Sequence, residues 1–248
     1  MTRNPSPALL NPVIAHRGAS GTAPENTLAA MALAAKLGAK AVELDVMISR
    51  DGVAYVHHDD GLERCTNGTG YLCAHTSNEL DKLTASKGMP GFENEPLPRF
   101  DAVLDLLAQH DMALNVEIKP TPGLEIPTAK ATCESLKQLW PTDLPLVISS
   151  FSREALKPCM EWLPAVPRAL IVCAIPENWQ TELIQLQASN LHCAGPLVQT
   201  EDIKAITEAG FGIYCFTVNA VDEYNQLLSN GVHGVFSDYP EKLLIQSG

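Results

Sequence analysis

Long apolar runs are missing from this chain of 248 residues. No stretch approaches the roughly 18 consecutive apolar residues of a membrane-spanning helix, and the first residues contain no apolar core of a signal peptide. Basic residues are also scarce, because 17 Lys and Arg stand against 29 Asp and Glu and give a net charge of -12. Such a surface repels nucleic acid and anionic lipid head groups. We therefore expect neither nucleic acid nor a membrane as a partner.

Paired cysteines are a second absence. The seven cysteines are odd in number, are scattered along the chain and include no C-x-x-C pair. This pattern argues against a disulfide framework and against a zinc site. It favours a reducing compartment, so we expect a cytoplasmic protein in which several cysteines pack as small apolar side chains.

Short apolar runs alternate with helical patterns through most of the sequence, which is typical of parallel strands joined by helical crossovers. The strand-like runs are residues 13–15, 42–46, 53–58, 113–118, 146–149, 169–172, 191–193, 212–217 and 234–237. A single α/β barrel of about 250 residues fits the length. We predict an α/β fold, a (β/α)8 TIM barrel, that spans residues 1–248 as one domain.

The third of these runs makes one strand too many for the barrel. Too few residues separate it from the second run for a parallel crossover, which needs about a dozen or more. The separating segment contains Asp51-Gly52, a strong two-residue hairpin signal, so we predict that the run folds back antiparallel. With that loop, Asp45 lies opposite His58 and shares a face with it, while His57 points away.

Residues 59–98 interrupt the alternation. They are rich in Gly, Asn, Thr and Pro and contain only a short helical pattern around residues 77–83. An excursion of this length after a barrel strand is usually an insertion that shapes a site. We expect a small insertion after the second barrel strand, beside the C-terminal mouth, where it walls off one side of the pocket.

Ionisable residues stand in or at the ends of several predicted strands, where the carboxyl ends of barrel strands carry catalytic groups. Glu43 and Asp45 are two residues apart and share a face, and Glu117 lies on the next barrel strand. Three carboxylates in one place cannot all stay ionised without a cation, and an all-oxygen set suits Mg²⁺ or Ca²⁺ rather than zinc. Separate ion pairs with Arg17 and Lys119 are the alternative.

Two histidines are candidates for proton transfer. His16 and His58 lie at predicted strand ends beside the carboxylates, and imidazole titrates near neutral pH. Arg17 and Lys119 offer the positive charge that a phosphate needs, although either is equally suited to be the ion-pair partner of a carboxylate. Four further histidines are interpreted as ordinary core or surface residues: His75, His110, His192 and His233.

The motifs, in this order and spacing, resemble the glycerophosphodiester phosphodiesterase family. The resemblance rests on His16-Arg17-Gly18, Pro24-Glu25-Asn26-Thr27, Glu43-Leu44-Asp45-Val46, His58-Asp59, Leu62-Glu63-Arg64, Thr66-Asn67-Gly68, Glu117-Ile118-Lys119, Ser149-Ser150-Phe151, Thr217-Val218-Asn219 and Asp238-Tyr239-Pro240. It covers almost the whole chain, and the chain looks most similar to bacterial cytosolic members that act on deacylated phospholipids.

The resemblance implies hydrolysis of glycerophosphodiesters, such as glycerophosphocholine and glycerophosphoethanolamine, to sn-glycerol 3-phosphate and an alcohol. It also implies three kinds of site residue. These are Glu43, Asp45 and Glu117 as ligands of the divalent metal ion, His16 and His58 as general acid and base, and Arg17 and Lys119 as phosphate contacts. Glu25 is expected to support the site, and we favour Asn26 as a helix cap. Phe216 stands where relatives often have Trp and is interpreted as part of the pocket wall.

Two alternatives have distinct signatures. A lysophospholipase D or phospholipase-like relative acting on lipids would expose an apolar or basic membrane face, and the net charge of -12 argues against it. A catalytically silent phosphodiester-binding barrel would have lost His16 or His58, and both are present. For the enzyme, direct attack of water on phosphorus and prior attack of the glycerol hydroxyl to give a cyclic phosphate both remain open.

Overall fold

Eight parallel strands close into a barrel in the computed structural model, which describes residues 7–8, 10–86 and 88–245. The strands of the described residues are β1 Val13–His16, β2 Ala41–Ile48, β3 Ala54–Val56, β4 Ala113–Ile118, β5 Leu146–Ser150, β6 Arg168–Val172, β7 Asn190–Ala194, β8 Gly212–Phe216 and β9 Gly234–Ser237. The sheet runs β1-β9-β8-β7-β6-β5-β4-β2-β3, and an additional β1–β2 pairing closes it. The predicted (β/α)8 barrel is thereby confirmed.

Helices connect the barrel strands and surround them. Those of the described residues are α1 Leu28–Lys36, α2 Ser77–Leu80, α3 Phe100–Gln109, α4 Glu125–Leu139, α5 Arg153–Trp162, α6 Trp179–Gln185, α7 Thr200–Glu208, α8 Val221–Ser229 and α9 Pro240–Leu244. The sequence patterns did not predict α9. Within the described part of the chain, no helix combines the length and the apolar character that crossing a membrane requires.

The β2–β3 hairpin has a different register from the predicted one. The pairs Val46–Val56 and Ile48–Ala54 lie opposite each other, and the amide of Ser49 donates to the carbonyl of Val53 at 2.9 Å. The loop therefore has three residues, and its last residue, Gly52, has a left-handed φ of +82°. A three-residue loop with glycine at this position is a standard alternative to the two-residue turn. The antiparallel fold-back is confirmed, but the predicted register is wrong by one residue.

Two layers of apolar side chains build the core. The larger one packs the outer face of the strands against the helices, as the barrel fold requires. A smaller one fills the amino-terminal end of the barrel interior with Ala41, Ala113, Ala169 and other side chains. The backbone before β1 closes this end, because the amide of Leu10 donates to the hydroxyl of Tyr214 at 2.9 Å. The part of the barrel interior that this smaller layer leaves unfilled opens toward the carboxyl ends of the strands.

Residues 59–98 form a small structure with its own apolar cluster. It contains a 3₁₀ turn, Leu72–Ala74, and the short helix α2, which lies within the predicted helical pattern. Tyr55, Leu62, Leu80 and other side chains pack together there. The Asp51 carboxylate accepts bonds of 2.8 Å from the amide and the hydroxyl of Ser77, so the hairpin loop is tied to the amino end of α2.

Candidate active site

A cavity of about 250 Å³ opens at the carboxyl ends of the barrel strands. The residues that line it are His16, Arg17, Glu43, His58, Asn115, Glu117, Lys119, Phe151, Ile171, His192, Phe216, Thr217 and Phe236. Six of the seven predicted site residues are in this set, and the seventh, Asp45, lies beneath it in contact with Arg17 and Lys119. None of the residues 59–98 that the structure describes lines the cavity, so the expectation that the insertion walls it off is wrong.

Three carboxylates meet at the base of the cavity. Glu43, Asp45 and Glu117 each present an oxygen, and these atoms lie within 4.8 Å of one another. The residues are only 4%, 1% and 9% exposed. Burial, and then the charge of Asp45, raise the pKa of both Glu43 and Glu117 above the usual range. Like charges held this close without water are costly, so the cluster suits a cation with a preference for oxygen ligands.

The loop after β1 brings cationic and backbone groups to this cluster. Arg17 has a left-handed φ of +57°, which is costly for a residue with a side chain, and its amide donates to Glu43 Oε2 at 2.9 Å. Its guanidinium donates to Glu25 Oε1 at 2.7 Å and has Nε 3.4 Å from Asp45 Oδ2. The tight turn needs Gly18, since a Cβ there would lie 2.6 Å from the backbone of Ala30.

Asn26 does not cap the helix, and the prediction that it would is wrong. Thr27 is the N-cap of α1, with its side chain accepting from the amide of Ala30. Asn26 instead has a left-handed φ of +58°, which asparagine tolerates better than most residues. Its Nδ2 donates to Asp45 Oδ2 at 2.8 Å, and its Oδ1 accepts from the Asp45 amide at 3.3 Å. Asn26 therefore orients the most deeply buried carboxylate of the cluster.

His58 reaches the cavity, but the hairpin register is not the reason. The amide of His57 donates to the carbonyl of Asp45 at 3.0 Å, so His57, rather than His58, lies opposite Asp45. The His57 ring turns away and donates from Nε2 to the carbonyl of Gly61 at 3.1 Å. His58 is the next residue after the β2–β3 pairing ends, and its side chain lines the cavity. The structure confirms the predicted placement of the two rings, but the register argument for it is wrong.

The contacts of His58 define its tautomer. Nδ1 lies 2.6 Å from Asp59 Oδ1, and Nε2 lies 2.6 Å from the ammonium of Lys119. Because a carboxylate accepts and an ammonium donates, the neutral ring carries its hydrogen on Nδ1 and offers the lone pair of Nε2. Burial lowers the pKa of His58. Lys119 also lies 3.7 Å from Glu117 Oε1, so one cation links the histidine to the carboxylate cluster.

His16 has an equivalent arrangement on the other side of the cluster. It pairs in register with Glu43, and its Nδ1 lies 2.7 Å from Asp238 Oδ1. Asn219 donates to the other oxygen of Asp238 at 2.8 Å. Although burial opposes it, the hydrogen bonds from His16 and Asn219 lower the pKa of Asp238 to about 2. Each of the two histidines is therefore fixed through Nδ1 by an ionised aspartate.

Arg64, which lies in the insertion, had no role predicted from the sequence. Its guanidinium donates to both oxygens of Asp59, at 2.6 and 2.8 Å, and to both oxygens of Glu25, at 2.6 and 2.9 Å. Asp59 orients His58, and Glu25 binds Arg17. The expected supporting role of Glu25 thus has a structural basis. Arg64 lies behind Glu25 and Asp59, and its contacts with these two carboxylates connect the insertion to the site.

Two further predictions concern the cavity wall and the remaining histidines. Phe216 lines the cavity as predicted and packs edge-to-face with Phe151, with ring centroids 6.1 Å apart. His192, interpreted as a satisfied core or surface residue, is 1% exposed and lines the cavity, and neither ring nitrogen has a hydrogen-bond partner among the described residues. That interpretation is wrong for His192.

The fold and the site together define the class of protein. A (β/α)8 barrel that gathers carboxylates, histidines and cationic side chains at the carboxyl ends of its strands is the arrangement of an enzyme for a small anionic substrate. Both acid–base candidates are oriented by carboxylates beside a carboxylate cluster that can hold a cation, which suits an enzyme that moves protons at a charged substrate.

The sequence matches the model of the Glycerophosphoryl diester phosphodiesterase family over residues 16–242. A glycerophosphodiester phosphodiesterase of Caldanaerobacter subterraneus subsp. tengcongensis is 33% identical over 238 residues, which are 94% of this chain and 96% of that protein. A Bacillus subtilis glycerophosphodiester phosphodiesterase is 31% identical over 92% of this chain and 83% of its own length. The chain belongs to the glycerophosphoryl diester phosphodiesterase family and is an enzyme of that class.

Solved structures show the same fold. An Oleispira antarctica phosphodiesterase in complex with the product sn-glycerol-3-phosphate is 41% identical, has a TM-score of 0.93 and covers 96% of each chain. A glycerophosphodiester phosphodiesterase from Agrobacterium tumefaciens is 28% identical, has a TM-score of 0.79 and covers 95% of this chain and 100% of that chain. The family predicted from the motifs is confirmed.

Proposed function

We propose that this enzyme hydrolyses small glycerophosphodiesters, such as glycerophosphocholine and glycerophosphoethanolamine, to sn-glycerol 3-phosphate and an alcohol. One observation carries the proposal: two histidines, each oriented by an aspartate, face a single cavity whose base holds three carboxylates and two cationic side chains. The Oleispira antarctica relative, whose structure contains sn-glycerol-3-phosphate as product, supports the same product here.

The carboxylate cluster is the metal site of this proposal. Glu43, Asp45 and Glu117 form an all-oxygen donor set within 4.8 Å, and such a set favours Mg²⁺ or Ca²⁺. A bound divalent ion supplies Lewis acidity, which offsets the negative charge that builds up on the phosphoryl oxygens. Arg17 and Lys119 border the same cluster and add positive charge for the phosphate, Arg17 through a planar group suited to two oxygens at once.

The two histidines carry the protons. One imidazole takes a proton from the attacking oxygen, and the other gives a proton to the oxygen of the departing alcohol. In the net reaction the bond from phosphorus to the alcohol oxygen breaks and a bond from phosphorus to the oxygen of water forms. Asp59 and Asp238 hold Nδ1 of His58 and His16, so Nε2 is the nitrogen of each ring that exchanges protons. On His58 this requires Lys119, which contacts Nε2 at 2.6 Å, to turn to the phosphate when substrate binds. Both routes, direct and through a cyclic phosphate, use these same two groups.

The cavity volume predicts a preference for small diesters. A space of about 250 Å³ holds a glycerol phosphate but has no room for a long acyl chain as well. The alcohol half then faces the mouth of the barrel. We expect kcat/KM for the choline, ethanolamine and glycerol head groups to agree within about tenfold, or about 1.4 kcal/mol of discrimination. A long-chain lysophosphatidylcholine is expected to be a far poorer substrate in the same steady-state panel.

The control in this panel is the water-soluble part of the lysolipid itself, glycerophosphocholine, which differs from it only by the acyl chain. Both are assayed below the critical micelle concentration of the lysolipid, so that aggregation does not limit its access. Equal or better turnover of the lysolipid would contradict the soluble-substrate assignment and favour the lipase-like alternative.

We also propose a cytoplasmic location and a single domain that carries an insertion. The seven cysteines all lie among the described residues and are free thiols, and four of them are buried, which supports a reducing, cytoplasmic setting. The barrel and the 59–98 segment share the Arg64 contacts to Glu25 and Asp59, which supports a single domain with an insertion.

A further inference from the structure

His192 is a buried polar residue that the proposed chemistry does not use. It is the middle residue of β7, and its ring lies among the aromatic side chains of the barrel interior, 5.5 Å from the Tyr214 centroid and 5.0 Å from the Phe236 centroid. Neither Nδ1 nor Nε2 meets a partner within the described part of the chain. Because buried polar atoms are nearly always hydrogen-bonded, two such atoms in one ring at the wall of a cavity point to a ligand.

Asn115, which lines the same cavity, has a further unpartnered atom. Its Nδ2 donates to Ser149 Oγ at 2.9 Å, which fixes the orientation of the amide. Its Oδ1 is buried and has no partner among the residues described. On β4, Asn115 precedes Glu117 by two residues, so it shares the inward face of the strand and lies one step deeper than the metal ligand. Asn115 and His192 thus both line the cavity that the carboxylate cluster borders, and their unpartnered atoms are buried within its wall.

The chemistry of this deeper part selects a neutral ligand with hydroxyl groups. Burial lowers the pKa of His192 to about 3, so the ring is neutral and has one donor and one acceptor nitrogen. Asn115 adds an acceptor. The adjoining wall is apolar and includes Ile171, Phe216 and Phe236. A cationic choline or ethanolamine group would find no carboxylate among these side chains, whereas a polyol offers hydroxyls to the polar atoms and carbon-bound hydrogens to the apolar wall.

We propose that His192 and Asn115 bind the hydroxyl groups of the glycerol half of the substrate and so determine the specificity for glycerol. This inference rests on the proposed function, which places the phosphate at Arg17 and Lys119. The glycerol then extends inward from the phosphate, and the alcohol extends outward. A site that provides hydrogen-bonding atoms for a hydroxyl discriminates strongly against an analogue without it, because the buried atoms are left unpaired.

The test compares two ligands by calorimetry with the metal-loaded enzyme: sn-glycerol 3-phosphate and n-propyl phosphate, which lacks both hydroxyls. The parent enzyme is expected to bind sn-glycerol 3-phosphate at least about tenfold more tightly, the equivalent of one to two neutral hydrogen bonds. In His192→Phe, which keeps an aromatic ring but removes both nitrogens, this preference is expected to fall about tenfold. His192→Gln, which retains a donor and an acceptor, is expected to keep part of it. His110→Gln, at an exposed helix end, is the matched control and should keep all of it.

The outcomes separate this inference from the proposed function. Equal affinity of the parent enzyme for the two ligands, or an equal loss of affinity for both in the His192 variants, would overturn the specificity role and leave the catalytic assignment standing. If the parent enzyme bound neither ligand and did not hydrolyse glycerophosphocholine, the proposed function would fall and this inference with it.

Discussion

Replacement of Glu43 or Glu117 by glutamine is expected to abolish turnover of glycerophosphocholine while the barrel still folds. Each substitution preserves the shape of the side chain but removes one of the three carboxylates, with oxygens within 4.8 Å of one another, that we propose as metal ligands. The loss in kcat is expected to be about 10³-fold or more, because the positive charge that a metal ion brings to the phosphoryl group contributes several kcal/mol. Steady-state kinetics with saturating Mg²⁺ or Ca²⁺ measure the loss, and calorimetric titration with the metal ion measures the weakened binding.

In the metal-free protein, the same substitutions are expected not to reduce stability. Burial and the charge of Asp45 raise the pKa of Glu117, so ionising this carboxyl group in the metal-free protein is costly. Tm measured in chelator is therefore expected to be no lower for Glu117→Gln than for the parent protein. Glu208→Gln on the exposed surface of α7 is the control and should leave both activity and metal affinity unchanged. Near-normal, chelator-insensitive activity in both Glu43→Gln and Glu117→Gln would rule the metal site out.

The neighbouring histidines His57 and His58 are expected to have different functions. His58→Ala should lower kcat/KM by several orders of magnitude, since general acid–base catalysis alone contributes about 10²–10⁴-fold and the variant also releases Lys119 from its contact with Nε2. His57→Ala should affect catalysis only mildly. It is expected to lower Tm instead, because it removes a buried ring and its hydrogen bond to Gly61.

Measuring kcat/KM and Tm for both variants separates the two roles. His57→Gln serves as the matched control for His57→Ala, since an amide restores a donor for the Gly61 carbonyl and should recover part of the lost Tm. A larger catalytic loss in His57→Ala than in His58→Ala would contradict the assignment of His58 as the acid–base residue.

Sequence periodicity was sufficient for most of the barrel. The predicted bounds of β4 and β9 agree with the structure residue by residue, because these strands have clear apolar patterns and distinct ends. The weakly patterned run at residues 191–193 also proved to be a strand, β7. Its sequence has only a weak strand pattern, but β6 and β8 pair with it on either side. Tertiary context therefore outweighs local propensity here.

The errors have specific physical causes. Asp51-Gly52 fits both a two-residue and a three-residue loop, and the choice depends on Ser49 pairing with Val53 and on the anchoring of Asp51 by Ser77. Both contacts require the folded structure. Asn26 fits a helix cap by position, but the left-handed backbone that turns it toward Asp45 is set by the preceding loop.

Two site residues illustrate what a sequence motif does not show. Arg64 belongs to a family motif, yet its function depends on bringing Asp59 and Glu25, which are distant in sequence, to one guanidinium. His192 stands alone in a short strand, and only the barrel closure reveals that it faces the cavity without a partner.

The most direct test of a metal-dependent glycerophosphodiesterase at this site is the release of sn-glycerol 3-phosphate from glycerophosphocholine by the intact enzyme after exhaustive treatment with EDTA. We predict that product release stops in the metal-free enzyme and returns when Mg²⁺ or Ca²⁺ is added back. An undiminished rate in the metal-free enzyme, or no release of sn-glycerol 3-phosphate with either ion, would contradict the account.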